Sequence, residues 1–104
     1  MSITHIGNYL NIRGSASIAK GKNTVVVKVP LEEFKDYNLL DITIHLTPYI
    51  STEEAYDVDI ISRIYTASKL KNNEFIVYGD EGSFYWMVQA VANDKYDFYP
   101  YGAF

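Results

Sequence analysis

Ile42-Thr43-Ile44-His45-Leu46-Thr47 alternates apolar and polar residues with period two, and Tyr56-Asp57-Val58-Asp59-Ile60 repeats the pattern. A strand turns successive side chains to opposite faces, so each segment is predicted to bury one face and wet the other. In the first, Ile42, Ile44 and Leu46 point to the core while Thr43, His45 and Thr47 point out; in the second, Tyr56, Val58 and Ile60 share one face. Thr24 to Val29 holds four valines in six positions. β-Branched side chains pack well on a pleated surface, so this strand is predicted to lie buried between two neighbours until Pro30 ends it. Ser15 to Ala19, bracketed by Gly14 and Gly21, is predicted to pair with it as a hairpin through Lys20-Gly21-Lys22-Asn23. Glu74–Tyr78 and Ser83–Ala92 are the last two strands, joined by a tight turn at Gly79-Asp80-Glu81-Gly82. Phe84, Trp86, Val88 and Ala90 then form a core face and leave Tyr85 outward.

Between these strands, Leu31 to Tyr37 follows a proline, carries acids in its first turn and sets Leu31 and Phe34 three apart, which predicts one short helical turn near 31–37. Pro48 is expected to stop the strand Leu39–Thr47, because it has no N–H to donate. Ser62 to Leu70 reads both ways: Ile64, Ala67 and Leu70 have helical spacing, whereas Ile64-Tyr65-Thr66 suits the end of a strand. Six or so short strands with turn signals between them predict an all-β domain, a single antiparallel β-sandwich of jelly-roll-like or small Greek-key type. The chain divides into an N-terminal arm, 1–13, whose apolar residues are irregularly spaced; the sandwich, 14–92; and an aromatic C-terminal tail, 93–104.

Composition narrows the function. At 104 residues the chain can bury roughly 60–70% of its unfolded surface without a metal or disulfide staple. Cysteine is absent, which removes thiol nucleophiles, disulfides and thiolate–metal sites together. A net charge of −4, with nine dispersed Lys and Arg, lacks the basic footprint of a nucleic-acid binder. No basic leader precedes an apolar core, and no apolar run approaches the ~20 residues that span a bilayer, so neither nucleic acid nor membrane is an expected partner. Ten tyrosines, five phenylalanines and one tryptophan suit both a pleated core and a protein interface.

The chemistry-bearing residues do not assemble into a reaction. His5 and His45 are the only histidines, and neither has a carboxylate and a nucleophile at recognisable spacing, which general-base work requires. Asp57 and Asp59, with Glu53 and Glu54 nearby, could present carboxylates to Ca²⁺, but hard cations need six or more oxygens from a shaped loop, and alternating acids more simply keep an edge strand wet. Asp80-Glu81 reads as a solvated turn. Catalytic, cofactor and metal sites are all expected to be absent, and the chain is read as no enzyme. Tyr85, Tyr49 and His45 are candidates for contact with a sugar or receptor. Apolar residues at both ends, namely Ile3, Ile6, Tyr9 and Leu10 on one side and Tyr96, Phe98, Tyr99, Tyr101 and Phe104 on the other, would be exposed patches unless something covered them, so they are the expected partner contacts.

Gly14-Ser15-Ala16-Ser17-Ile18-Ala19-Lys20-Gly21 leading into Thr24–Val29, then Ile42 to Pro48, Tyr56-Asp57-Val58, Phe75-Ile76-Val77 and Phe84-Tyr85-Trp86, resembles small β-sandwich domains of tailed-bacteriophage virions, found in fibres, receptor-binding tips and capsid auxiliary proteins. The likeness covers roughly residues 14–91, and the charged crossover Pro30–Asn38 and the tail after Asn93 depart from it. The resemblance implies a virion structural role. Starting at its own Met1, the chain reads as a small separate protein, which implies a capsid auxiliary or decoration protein more than a fibre tip. Its expected partners are the major capsid protein or other virion proteins, with many copies or a homo-oligomer on the particle surface after synthesis in the host cytoplasm. A fibre- or tail-associated carbohydrate- or receptor-binding module is the alternative.

Overall fold

A computed structural model describes residues 1–49 and 64–94. Among them run seven strands and one 3-10 turn: β1 Ser2–Ile6, β2 Tyr9–Ile18, β3 Thr24–Lys28, the turn Glu32–Phe34, β4 Tyr37–Tyr49, β5 Tyr65–Ala67, β6 Glu74–Gly79 and β7 Gly82–Asp94. They form two antiparallel sheets, one of four strands in the order β1-β2-β7-β4 and one of three in the order β3-β6-β5. The domain is all-β, as the alternation predicts. The predicted strand over 56–61 lies outside the described residues, as do Asp57 and Asp59.

The connections differ from the expected hairpins. β2 pairs with β1 and β7, and β3 pairs with β6, so Lys20–Asn23 does not fold one strand onto the next. It carries the chain from one sheet to the other, closed by the Lys22 N–H donating to the Ala19 carbonyl at 3.0 Å, with Gly21 at φ 81, where a Cβ would be strained. Asp80-Glu81 makes the return crossing between β6 and β7, which likewise do not pair. The Gly79 N–H donates to the Asn23 carbonyl at 3.0 Å and ties the two corners together. The ribbon β2–β3 therefore runs beside β7–β6 through both sheets, while β4 and β5 flank the other side of β7 and β6. This winding is jelly-roll-like.

Residues 1–13 are not an arm. Ser2↔Arg13 through Ile6↔Tyr9 pair as a hairpin, and β2 runs unbroken across the expected boundary at Gly14. Leu10 and Ile12 are 1% and 0% exposed, so Leu10 belongs to the core and is withdrawn as a partner contact. The turn at Gly7-Asn8 explains the misreading. It resets the alternation between Ile6 and Tyr9, so two regular segments look like one irregular one. The Ala92 N–H donates to the Asn8 carbonyl at 2.7 Å and fastens this turn to β7.

Phe84, Trp86 and Val88 of β7 face Phe75 and Val77 of β6 across the sandwich, all buried. The rings of Phe75 and Trp86 meet edge to face at 5.8 Å and 76°, an arrangement aromatic quadrupoles favour. Leu31, the N-cap of the 3-10 turn, and Phe34, its last residue, close one end of this core. Three further expectations are corrected. Val26 is 50% exposed, because β3 is an edge strand with β6 as its one neighbour, and its valines alternate instead of being buried on both sides. Ile42 is 39% exposed: it keeps the face of Ile44 and Leu46, but beside the register slip between Leu40 and Thr43 that face opens into a cleft toward Tyr65–Leu70, which the three line together. Pro48 does not end β4, which pairs through to Tyr49↔Ser83; an edge strand tolerates a residue that cannot donate. The ambiguous segment 62–70 contains the strand β5, with Tyr65 and Ala67 packed on the core and Thr66 exposed.

Gly14 sits directly opposite Trp86 in the β2–β7 ladder. A Cβ there would stand 2.5 Å from Trp86 Cζ2 and 2.7 Å from Cε2, and the ring is enclosed on its other sides. Gly14→Ala is expected to cost about 1–3 kcal/mol through overpacking, read as a lower urea midpoint at unchanged slope.

Candidate functional site

The outward side chains of the four-stranded sheet fall into rows set by register. Ser2, Arg13, Met87 and His45 are successive partners across β1, β2, β7 and β4, and Ser15, Tyr85 and Thr47 form the next row. Each stands outward because the residues flanking it, Ile12 and Gly14, Trp86 and Val88, Ile44 and Leu46, turn to the core. Between the two rows lies an open groove of about 570 Å³, lined by these side chains and Met1, with Gly14 and Trp86 in its floor. That size suits a small ligand.

Tyr85 is the most prominent wall. It is 53% exposed, and its ring stacks on Tyr49 with centroids 4.2 Å apart and an interplanar angle of 25°. Tyr49 thus braces one side of Tyr85, and the groove lies along the other. His45 is held similarly: its Nε2 lies 3.0 Å from the Thr43 hydroxyl on the same strand, which leaves Nδ1 free. Ser17 and Ser83 hydroxyls, 3.0 Å apart, continue the polar surface beyond Ser15. Among the described residues no acid lines the groove, and an imidazole and a hydroxyl are adjacent there.

A second feature crosses the same face nearer the β1–β2 turn. Ile6, Tyr9, Val91 and Leu40 are successive partners across all four strands. Ile6, Tyr9 and Leu40 are 71%, 72% and 49% exposed, so the row is an apolar band on solvent. β7 ends three residues beyond Val91, and residues 95–104 leave from this end of the sheet.

The sequence-predicted residues are thus divided. Tyr49, Tyr85 and His45 are brought together. Ile6 and Tyr9 are exposed on one band, while Ile3, 37% exposed, lies on the opposite face of β1 beside the core, because it pairs with buried Ile12. Tyr96, Phe98, Tyr99, Tyr101 and Phe104 lie outside the described residues. His5 is a packing residue, its ring edge-on to Phe34 at 5.5 Å and to Tyr37 at 5.1 Å. Arg13, Ser15 and Thr47 enter the groove unanticipated; the alternation Leu10, Ile12 against Asn11, Arg13, Ser15 would have found the first two had β2 been read through Gly14. Among the described residues no three His, Asp or Glu side chains gather as a metal site, and no helix is long and apolar enough to cross a membrane. Compared with known proteins, the chain matches no family model, no curated protein and no solved structure.

Proposed function

We propose that this chain is a non-enzymatic structural protein of a tailed-bacteriophage virion, an auxiliary or decoration protein present in many copies that stabilises the assembled shell by burying apolar surface against the major capsid protein or its neighbours. The observation that carries this reading is the exposed band Ile6–Tyr9–Val91–Leu40, set at the end of the sheet from which an aromatic segment departs. The resemblance of residues 14–91 to virion sandwiches supplies the particle. Each ~100 Å² of apolar surface removed from water contributes on the order of 2.5 kcal/mol before ordering costs. Four side chains fall short of the ~800 Å² per partner of a stable interface. The five aromatics of 95–104 are what extends the contact to that size. Mass spectrometry and cryo-microscopy of purified particles test the reading: the protein is expected in repeated copies on the shell, and particles that lack it overturn the proposal.

A second reading, a fibre- or tail-associated module that binds a carbohydrate or receptor, is favoured by one observation. Tyr85 and His45 line one groove, with Tyr49 stacked behind Tyr85, and an aromatic wall and hydroxyl, imidazole and guanidinium groups face the same space.

A further inference from the structure

We propose that the groove across the four-stranded sheet binds a carboxylated sugar, a uronic or sialic acid unit of a glycan, and that Arg13 selects it by pairing with the carboxylate. This rests on the reading of the groove as a sugar site and not on where the protein sits in a particle. Tyr85 stands on the central strand β7, with Arg13 and Ser15 on β2 to one side and His45 and Thr47 on β4 to the other. Strands are spaced by about 4.8 Å, so the two flanking sets are roughly 10 Å apart, a span that one sugar ring with its substituents bridges. The apolar face of the ring has an aromatic wall in Tyr85, which Tyr49 holds upright from behind at 4.2 Å. The hydroxyls have Thr47, Ser15 and the free Nδ1 of His45.

Charge decides between a neutral and an acidic sugar. Among the described residues no acid lines this groove, and Arg13 does. Among the described residues Arg13 has no hydrogen-bond or ion-pair partner. A planar guanidinium fits a carboxylate through two parallel hydrogen bonds, which a neutral sugar cannot return.

Matched pairs of probes test this by calorimetric or NMR titration of the full chain: sialyllactose against lactose, and oligogalacturonate against a neutral galacto-oligosaccharide. At least one acidic member is expected to bind ten-fold or more tighter than its neutral partner, and the pair that responds tells a sialic from a uronic acid. Arg13→Gln is expected to erase that preference while neutral binding persists, and Tyr85→Ala to weaken both members ten-fold or more; circular dichroism of both variants should match the parent. Equal binding of acidic and neutral members, or a preference that survives Arg13→Gln, overturns the carboxylate assignment and leaves the sugar site standing. No binding by any probe at millimolar concentration overturns both.

Discussion

Trp86→Ala is expected to remove about 3–5 kcal/mol of stability, the cost of deleting an aromatic ring from a core that cannot collapse around the hole. The ring is 4% exposed, lies over the backbone of Gly14 on β2 and meets Phe75 of β6 edge to face, so both sheets line the space it fills. Stability of a domain this size is typically about 5–15 kcal/mol, and the variant should stand near the edge of folding. Urea unfolding measures it. Tyr85→Ala, one residue away on the same strand, is the control: its side chain is 53% exposed, and about 1 kcal/mol or less should be lost. Equal costs at the two positions would mean that β7 does not present alternate residues to core and solvent.

Deleting residues 95–104 is expected to leave the sandwich folded and to abolish its incorporation into particles. The ladder does not need the segment, since β7 pairs with β2 from Tyr9↔Val91 onward and with β4 as far as Tyr37↔Asp94. Among the described residues the core ends at Ala92, before the segment begins. Removing five aromatics from the proposed contact takes away most of its apolar area, while circular dichroism and the urea transition should stay close to those of the full chain. If the truncated chain unfolds, the segment belongs to the parent core and its part in assembly falls.

The alternation of apolar and polar residues revealed the faces of the strands but not their partners. Phe84, Trp86 and Val88 lie inward, and Ile44 and Leu46 face the core, because period two is a local property of the backbone. Pairing is not local. Lys20-Gly21-Lys22-Asn23 and Gly79-Asp80-Glu81-Gly82 carry the residues of hairpin turns, yet both are corners between sheets, and the same glycine and asparagine chemistry serves either geometry. The bulge at Asp41 acts differently: one extra residue slips the register, yet Ile42 keeps the face that its spacing assigns and is exposed in the open cleft it lines with Ile44 and Leu46. Of the groove, Tyr85 and His45 are legible as outward positions on predicted strands, whereas Tyr49, stacked behind Tyr85, lies beyond the strand end that Pro48 predicts. Arg13 is not legible as a groove residue, because a glycine opposite a tryptophan looks, in one dimension, like the boundary between an arm and a domain.

The central claim is that an apolar band on this sheet attaches the protein to an assembled shell, and cosedimentation measures that attachment directly. Purified protein is mixed with particles assembled without it, alongside a variant carrying Ile6→Ser and Tyr9→Ser, which removes apolar area from two exposed positions and leaves the buried core intact. The parent chain is expected to pellet with the particles to saturation, and the variant, with unchanged circular dichroism, to remain in the supernatant. Parent and variant pelleting equally, or neither pelleting, would contradict the account.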